Sequence, residues 1–130
     1  MWREIEAART RPFSYGDHDC CLFAANVVEA MTGVDPATEW RGRYCSKRGA
    51  YQFIQELGGL GKLVSSVFGE PVCRNQVHKG DLALMEIVGV DGKEEVALGV
   101  CTGTICYVAR HETGVLTVRR DCMLYGWKVE

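Results

Sequence analysis

Proline and histidine are both scarce, at 3 residues each in a chain of 130. So little proline excludes a collagen-like or proline-rich chain, even with 15 glycines present. So few histidines leave His18, His78 and His111 as the whole choice of catalytic imidazole. Neither sign of charge dominates: 15 Lys+Arg stand against 17 Asp+Glu, for a formal charge of -2. That balance predicts no dedicated nucleic-acid binding, because bulk attraction to phosphate is missing. No apolar run approaches the roughly 20 residues a membrane helix needs, so no membrane partner is expected. The opening Met-Trp-Arg-Glu-Ile-Glu has an early acid and no apolar core of signal-peptide length, which predicts a chain that is not secreted.

Cysteine is abundant, but its pattern is empty of the usual frameworks. The 7 cysteines are odd in number and irregularly spaced, at 20, 21, 45, 73, 101, 106 and 122. A secreted disulfide scaffold is therefore excluded, and a reducing compartment is expected. No C-x-x-C pair exists, so neither a structural zinc nor any other metal or cofactor is predicted. Most of these thiols read as small buried hydrophobes.

What is present is a foldable core. The chain is 47% hydrophobic and 25% charged, which at this length predicts a single domain over residues 1–130 that buries about two-thirds of its surface. The first half has helical spacing. Trp2, Ile5 and Ala8 share a face that Arg11-Pro12 stops. Phe13 to His18 reads as a loop, and Asp19 stands where an N-cap belongs, ahead of an apolar run from Cys20 to Met31 that Gly33 ends. Only Asn26 and Glu29 interrupt that run, so it predicts a central helix buried on most faces. Asp35-Pro36 is a second start signal, for a turn or two reaching Trp40. Ser46 caps an expected helix from Lys47 to Leu57, and another short one runs from Leu60 to Phe68.

Past Pro71 the period becomes strand-like. Strands are expected at Leu82–Val88, Val96–Cys101, Ile105–Ala109, Val115–Val118 and Tyr125–Val129. Turns are expected at Val90-Asp91-Gly92, at Gly103-Thr104 and at His111-Glu112-Thr113-Gly114. Helices first and sheet second predict an α+β domain with locally connected, mostly antiparallel strands. Gly58-Gly59-Leu60-Gly61-Lys62 lacks both the preceding strand and the glycine spacing of a phosphate-binding loop.

The sharpest chemical feature is Tyr15-Gly16-Asp17-His18-Asp19-Cys20. A cysteine in the first turn of a helix faces unpaired backbone N–H groups and the positive dipole end, which favour an anion. A nucleophile there can attack an acyl carbon while the same N–H groups hold the oxyanion. Cys21, about 100° further around the helix, reads as core packing. His18, two residues upstream, and His78, in a polar stretch before Gly80-Asp81, are the possible bases; His111 falls at a hairpin tip. The candidate catalytic residues are thus Cys20, His18, Asp19 and His78. Two further words carry charge. Arg41, Arg43, Lys47 and Arg48 lie among Trp40, Tyr44 and Tyr51, a run that suits either an acidic partner or arginines held by local carboxylates. Arg119-Arg120-Asp121 reads as an edge or turn with internal pairing.

Asp19-Cys20 at a helix start, then Gly80-Asp81-Leu82-Ala83-Leu84, then Ala97-Leu98-Gly99-Val100-Cys101-Thr102-Gly103, resembles the papain-like NlpC peptidoglycan-endopeptidase superfamily over about residues 13 to 129. The resemblance implies a papain-like NlpC-type fold with Cys20 as nucleophile, and it departs from that pattern at the base. Ala97 occupies the histidine position and Val108 the position of the orienting polar residue, so the ordinary triad is missing as a unit. The words Tyr-Gly-x-x-Asp-Cys, Met-Thr-Gly-x-Asp-Pro and Arg-Gly-x-Tyr, with a closing Trp, also resemble a branch of small phage and prophage proteins. That likeness implies synthesis in a host cytoplasm, a place in the virion tail, and phage structural or tail proteins as partners. The enzymatic alternative is a cysteine amidohydrolase or endopeptidase that takes peptidoglycan stem peptides through Cys20.

Overall fold

The computed structural model describes residues 1–88, 92–110 and 114–129. It is an α+β fold in which four helices precede a six-stranded antiparallel sheet. The helices are α1 (Trp2–Thr10), α2 (Cys20–Thr32), α3 (Lys47–Glu56) and α4 (Leu60–Phe68). The strands are β1 (Val72–Cys73), β2 (Leu82–Val88), β3 (Glu94–Cys101), β4 (Ile105–Arg110), β5 (Gly114–Arg119) and β6 (Met123–Trp127). Short 3-10 turns at Arg74–Gln76 and Arg120–Cys122 lead out of β1 and into β6.

The expected helix signals act where the sequence places them. Asp19 caps α2 by accepting the Leu22 N–H at 3.0 Å, and Gly33 ends it at φ 81°, a left-handed turn that a side chain would strain. Ser46 caps α3 by accepting from the Gly49 N–H. Asp35 does start a turn, its carboxylate accepting from the Ala37 N–H, but the chain continues as turns rather than as a helix. Arg41 closes those turns, donating to Asp35 at 2.8 Å and to Asn26 of α2 at 2.8 Å.

The sheet order is β1-β6-β2-β3-β4-β5. Expected local connection holds from β2 to β5 and fails at β6, which inserts between β1 and β2. β6 also begins two residues earlier than the sequence predicts, and β1 is too short to show a period. Pairing of β2 with β6 shifts register between Leu84 and Met85. Because side chains alternate along a strand, the irregularity sends Met123 to the face opposite Tyr125 and Trp127.

Both faces of the sheet are covered, which is why β2 is apolar at successive residues instead of alternating. Leu82, Leu84, Leu98, Val100 and Trp127 pack against α2, with α1 and α4 closing the sides. Met85, Ala97, Cys101, Cys106, Val108 and Met123 form a second core on the reverse face. β5 and the Arg120–Cys122 turn curl toward β2 across that face, leaving a cleft of about 500 Å³. The Trp127 indole N–H donates to Ser65 Oγ at 3.0 Å, tying β6 to α4. The turn expected at Val90-Asp91 and the hairpin tip with His111 lie outside the described residues.

Candidate functional site

Cys20 opens α2, half-buried, and packs against the margins of both cores. Its position is set by Asp19, which is 3% exposed and spends both carboxylate oxygens on local structure. Oδ1 accepts the Leu22 N–H; Oδ2 accepts the Gly16 N–H at 3.0 Å and the Tyr44 hydroxyl at 2.7 Å. Gly16, at φ 85°, lies so close to the Tyr44 carbonyl that a Cβ would collide with it, and its own carbonyl accepts from the Gly42 N–H at 3.3 Å. The segment before Cys20 and the segment from Arg41 to Tyr44 are therefore one clamped unit. Asp19, a candidate catalytic group, is its central acceptor.

Two phenols whose electrostatics include Cys20, and an acid that acts on one of them, were left without a role by sequence reasoning. Burial pushes the Tyr15 hydroxyl upward, and the charges of Cys20, Glu95 and Asp19 push the same way. Tyr44 is raised further, by burial first and then by Asp19. Both phenols stay protonated, and Tyr44 donates to Asp19. Tyr15 and Tyr44 belong to the Tyr-Gly-x-x-Asp-Cys and Arg-Gly-x-Tyr words, which was the available signal; Glu95 of β3 had none. Cys21 is buried and held as a thiol, raised first by its hydrogen bond to Cys20 and then by burial.

The structure does not bring a described imidazole to Cys20. The His18 ring is 2% exposed, packs edge-on to Phe23 at 6.2 Å, and has no hydrogen-bond partner at either nitrogen among the described residues. Its backbone pairs with Ser14 across the loop, and its ring is buried. His78 is exposed and lies at the opposite end of α2. Its backbone N–H donates to Asp81 Oδ2 at 2.9 Å, and nearby Gly80 lies against Met31 in the last turn of that helix. Met31 follows Cys20 by eleven residues, which is about 16 Å along the axis.

The Gly80-Asp81 pair opens β2 as a structural joint. Asp81 accepts from Lys128 Nζ at 2.6 Å and from the Val129 N–H at 3.0 Å. Burial works to raise its carboxyl, but these bonds prevail and hold it below the usual carboxylate range. Ala97 and Val108 are both buried in the reverse-face core, Ala97 directly opposite Met85. That surrounding offers an imidazole no polar partner.

Arg41 is tied by Asp35 and Asn26, whereas Arg43 lies over the Phe53 ring at 5.6 Å and Lys47 and Arg48 are exposed. The basic run is therefore split between a structural arginine and solvated charges. At Arg119-Arg120-Asp121 the expected pairing is between Arg119 and Asp121, at 3.2 Å, while Arg120 turns inward. Among the described residues no group of three or more His, Cys, Asp or Glu is placed to hold a metal ion. Among them, too, no helix is long and apolar enough to cross a membrane.

Burial of His18 sets a pH dependence. Its pKa is lowered from 6.5, chiefly by burial and next by Arg11. Between that lowered value and 6.5 the unfolded chain binds a proton that the folded chain refuses, so His18 makes stability fall as pH drops through this window. His18→Leu is expected to remove that part of the slope and, by deleting unpartnered buried nitrogens, to raise stability at pH 7 by about 1 kcal/mol. Urea titrations of the native protein and H18L at pH 5, 6 and 7 check both, and identical slopes would contradict the first.

Fold and site together define an α+β domain with a cysteine at the start of its central helix and no described histidine beside it. Residues 2–129 match the family described as a domain of unknown function, DUF6950, and the chain belongs to that family. No curated protein and no solved structure matches it.

Proposed function

We propose that this chain is a phage or prophage particle protein, associated with the tail, that uses a papain-like NlpC-type fold for binding or assembly rather than for hydrolysis. The observation that carries this reading is the burial of Ala97 and Val108 in an apolar core, at the positions where the resemblance places the base and its orienting residue. General-base catalysis needs a group within hydrogen-bond reach of the nucleophile. Among the described residues His18 makes no such bond, and His78 is a helix length away. A fold keeps its architecture when the site grafted on it is lost. The tail assignment rests on the phage-like words, which the fold clamps together through Gly16, Asp19, Arg41 and Tyr44. Particles purified from an induced lysogen and analysed by peptide mass are expected to contain this chain in fixed ratio to tail proteins. Repeated absence from intact particles and from tail assemblies would contradict the reading.

A second reading, a cysteine hydrolase of peptidoglycan stem peptides, is favoured by the half-buried Cys20 at the start of α2. It requires a base that the described residues do not place.

A further inference from the structure

The curled sheet brings two strand edges to one cleft. β5 ends the strand order and pairs with β4 alone. β2 has β3 beside it from Leu82 to Val88, but β6 accompanies it only as far as Met85. Glu86, Ile87 and Val88 therefore run on with no strand on that side among the described residues. The cleft of about 500 Å³ on the reverse face is lined by these three and by residues 116–119 of β5.

Hydrogen bonding fixes which groups of β5 face outward. The Cys101 N–H donates to the Asp81 carbonyl at 2.9 Å, and its carbonyl accepts from the Gly80 N–H at 2.8 Å. Both groups point away from β4, so the bonds between β3 and β4 fall to the neighbouring pair, Val100 and Tyr107. One residue to either side on β4, Cys106 and Val108 turn to β5 and bond Val118 and Leu116. The N–H and C=O of Val115 and Thr117 are left at the open edge, with no backbone partner among the described residues. Thr117 is exposed and lines the cleft. Such an edge is a template for one more strand.

The cleft also has two chemically different sides, because side chains alternate along a strand. On one, Ile87 and Val118 are buried in the reverse-face core and Leu116 packs against it. On the other stand Glu86, Glu94 and Arg119. Asp121 pairs with Arg119 at 3.2 Å, whereas both glutamates are exposed and have no ion pair among the described residues. The unbalanced charge of this wall is therefore negative.

We propose that the cleft binds an extended segment of a partner protein, added as a strand on β5, in which apolar residues alternate with lysine or arginine. Val115 and Thr117 supply the ladder bonds. The apolar residues enter against Ile87, Leu116 and Val118, extending the reverse-face core, and the cations face Glu86 and Glu94. A second copy of this chain fits less well, since a two-fold pairing of β5 edges sets one acidic wall against another. The fit belongs to the fold and holds whether or not the chain is a tail protein.

The test uses the native full-length protein and a capped peptide, as long as β5, that alternates lysine and valine. Titration followed by hydrogen exchange is expected to show saturable binding and slowed exchange of the Val115 and Thr117 amides. Unchanged exchange at both amides overturns the proposal. The same peptide with glutamate for lysine is expected not to bind, and equal binding by it overturns the charge assignment. T117P removes one outward N–H at an edge strand, where proline is tolerated, and is expected to weaken binding about tenfold. E86K/E94K changes two exposed side chains, keeps the test open if T117P does not fold, and is also expected to weaken binding about tenfold. Native-like binding by either folded variant overturns the proposal. Without peptide, a concentration-dependent dimer that protects the Thr117 amide makes a second copy the occupant, which also overturns it.

Discussion

Asp19→Ala is expected to lower the unfolding free energy by about 3–5 kcal/mol, the loss of a helix cap compounded by two stranded donors. The cap alone is worth about 1 kcal/mol in most proteins. Here the same carboxylate also accepts from Gly16 and from Tyr44, at a residue 3% exposed. Each donor left dry costs about 1–3 kcal/mol. Asp19→Asn keeps one oxygen for the Leu22 N–H and lets the Tyr44 hydroxyl rotate to accept, so it should cost only about 1–2 kcal/mol. Urea denaturation separates the two variants. A loss below 1 kcal/mol in D19A would mean that the clamp between the loop before Cys20 and the Arg41–Tyr44 segment is weaker than its geometry.

Ala97→His, which introduces the residue that the proposed NlpC-type resemblance expects there, is expected to destabilise the chain by about 3–5 kcal/mol and to confer no hydrolysis. Ala97 is 4% exposed and faces Met85 across β2. Neighbouring Gly99 shows how tight this face is, since a Cβ there would meet Met85, Tyr107 and Val108 atoms at 3.1 Å. Overpacking such a site costs about 1–3 kcal/mol, and an imidazole buried without partners adds a similar amount. Thermal unfolding and hydrolysis of a model amide check the two halves of the expectation. A stable A97H with new turnover would instead reveal a catalytic site lacking only its base.

Much of this fold could be read from local chemistry. Asp19 and Gly33 bound the central helix because caps act within one turn, and β2 to β4 follow from apolar runs broken by turn residues. What escaped is long-range. β6 pairs with β1 and β2 across the sheet, and its shifted register hides which of Met123, Tyr125 and Trp127 share a face. At the site, the role of Asp19 as a cap is a local pattern, but the Tyr44 hydroxyl reaches it from 25 positions away. His18 sits in an irregular loop with no period to mark it as buried, yet its backbone pairs with Ser14 and its ring packs against Phe23 of α2. Arg120 resembles its exposed neighbour Arg119 in sequence, and the acceptors that separate them, at Val77 and Gly103, come from distant segments.

The central claim is the proposal that Cys20 does not hydrolyse amides, since no described histidine is hydrogen-bonded to it. Its most direct measurement is turnover of defined muropeptides by the native protein and by C20A at equal concentration, across pH 5 to 9. Equal, background-level rates at every pH are the predicted result. Turnover by the native protein that C20A abolishes would contradict the account and establish Cys20 as a working nucleophile.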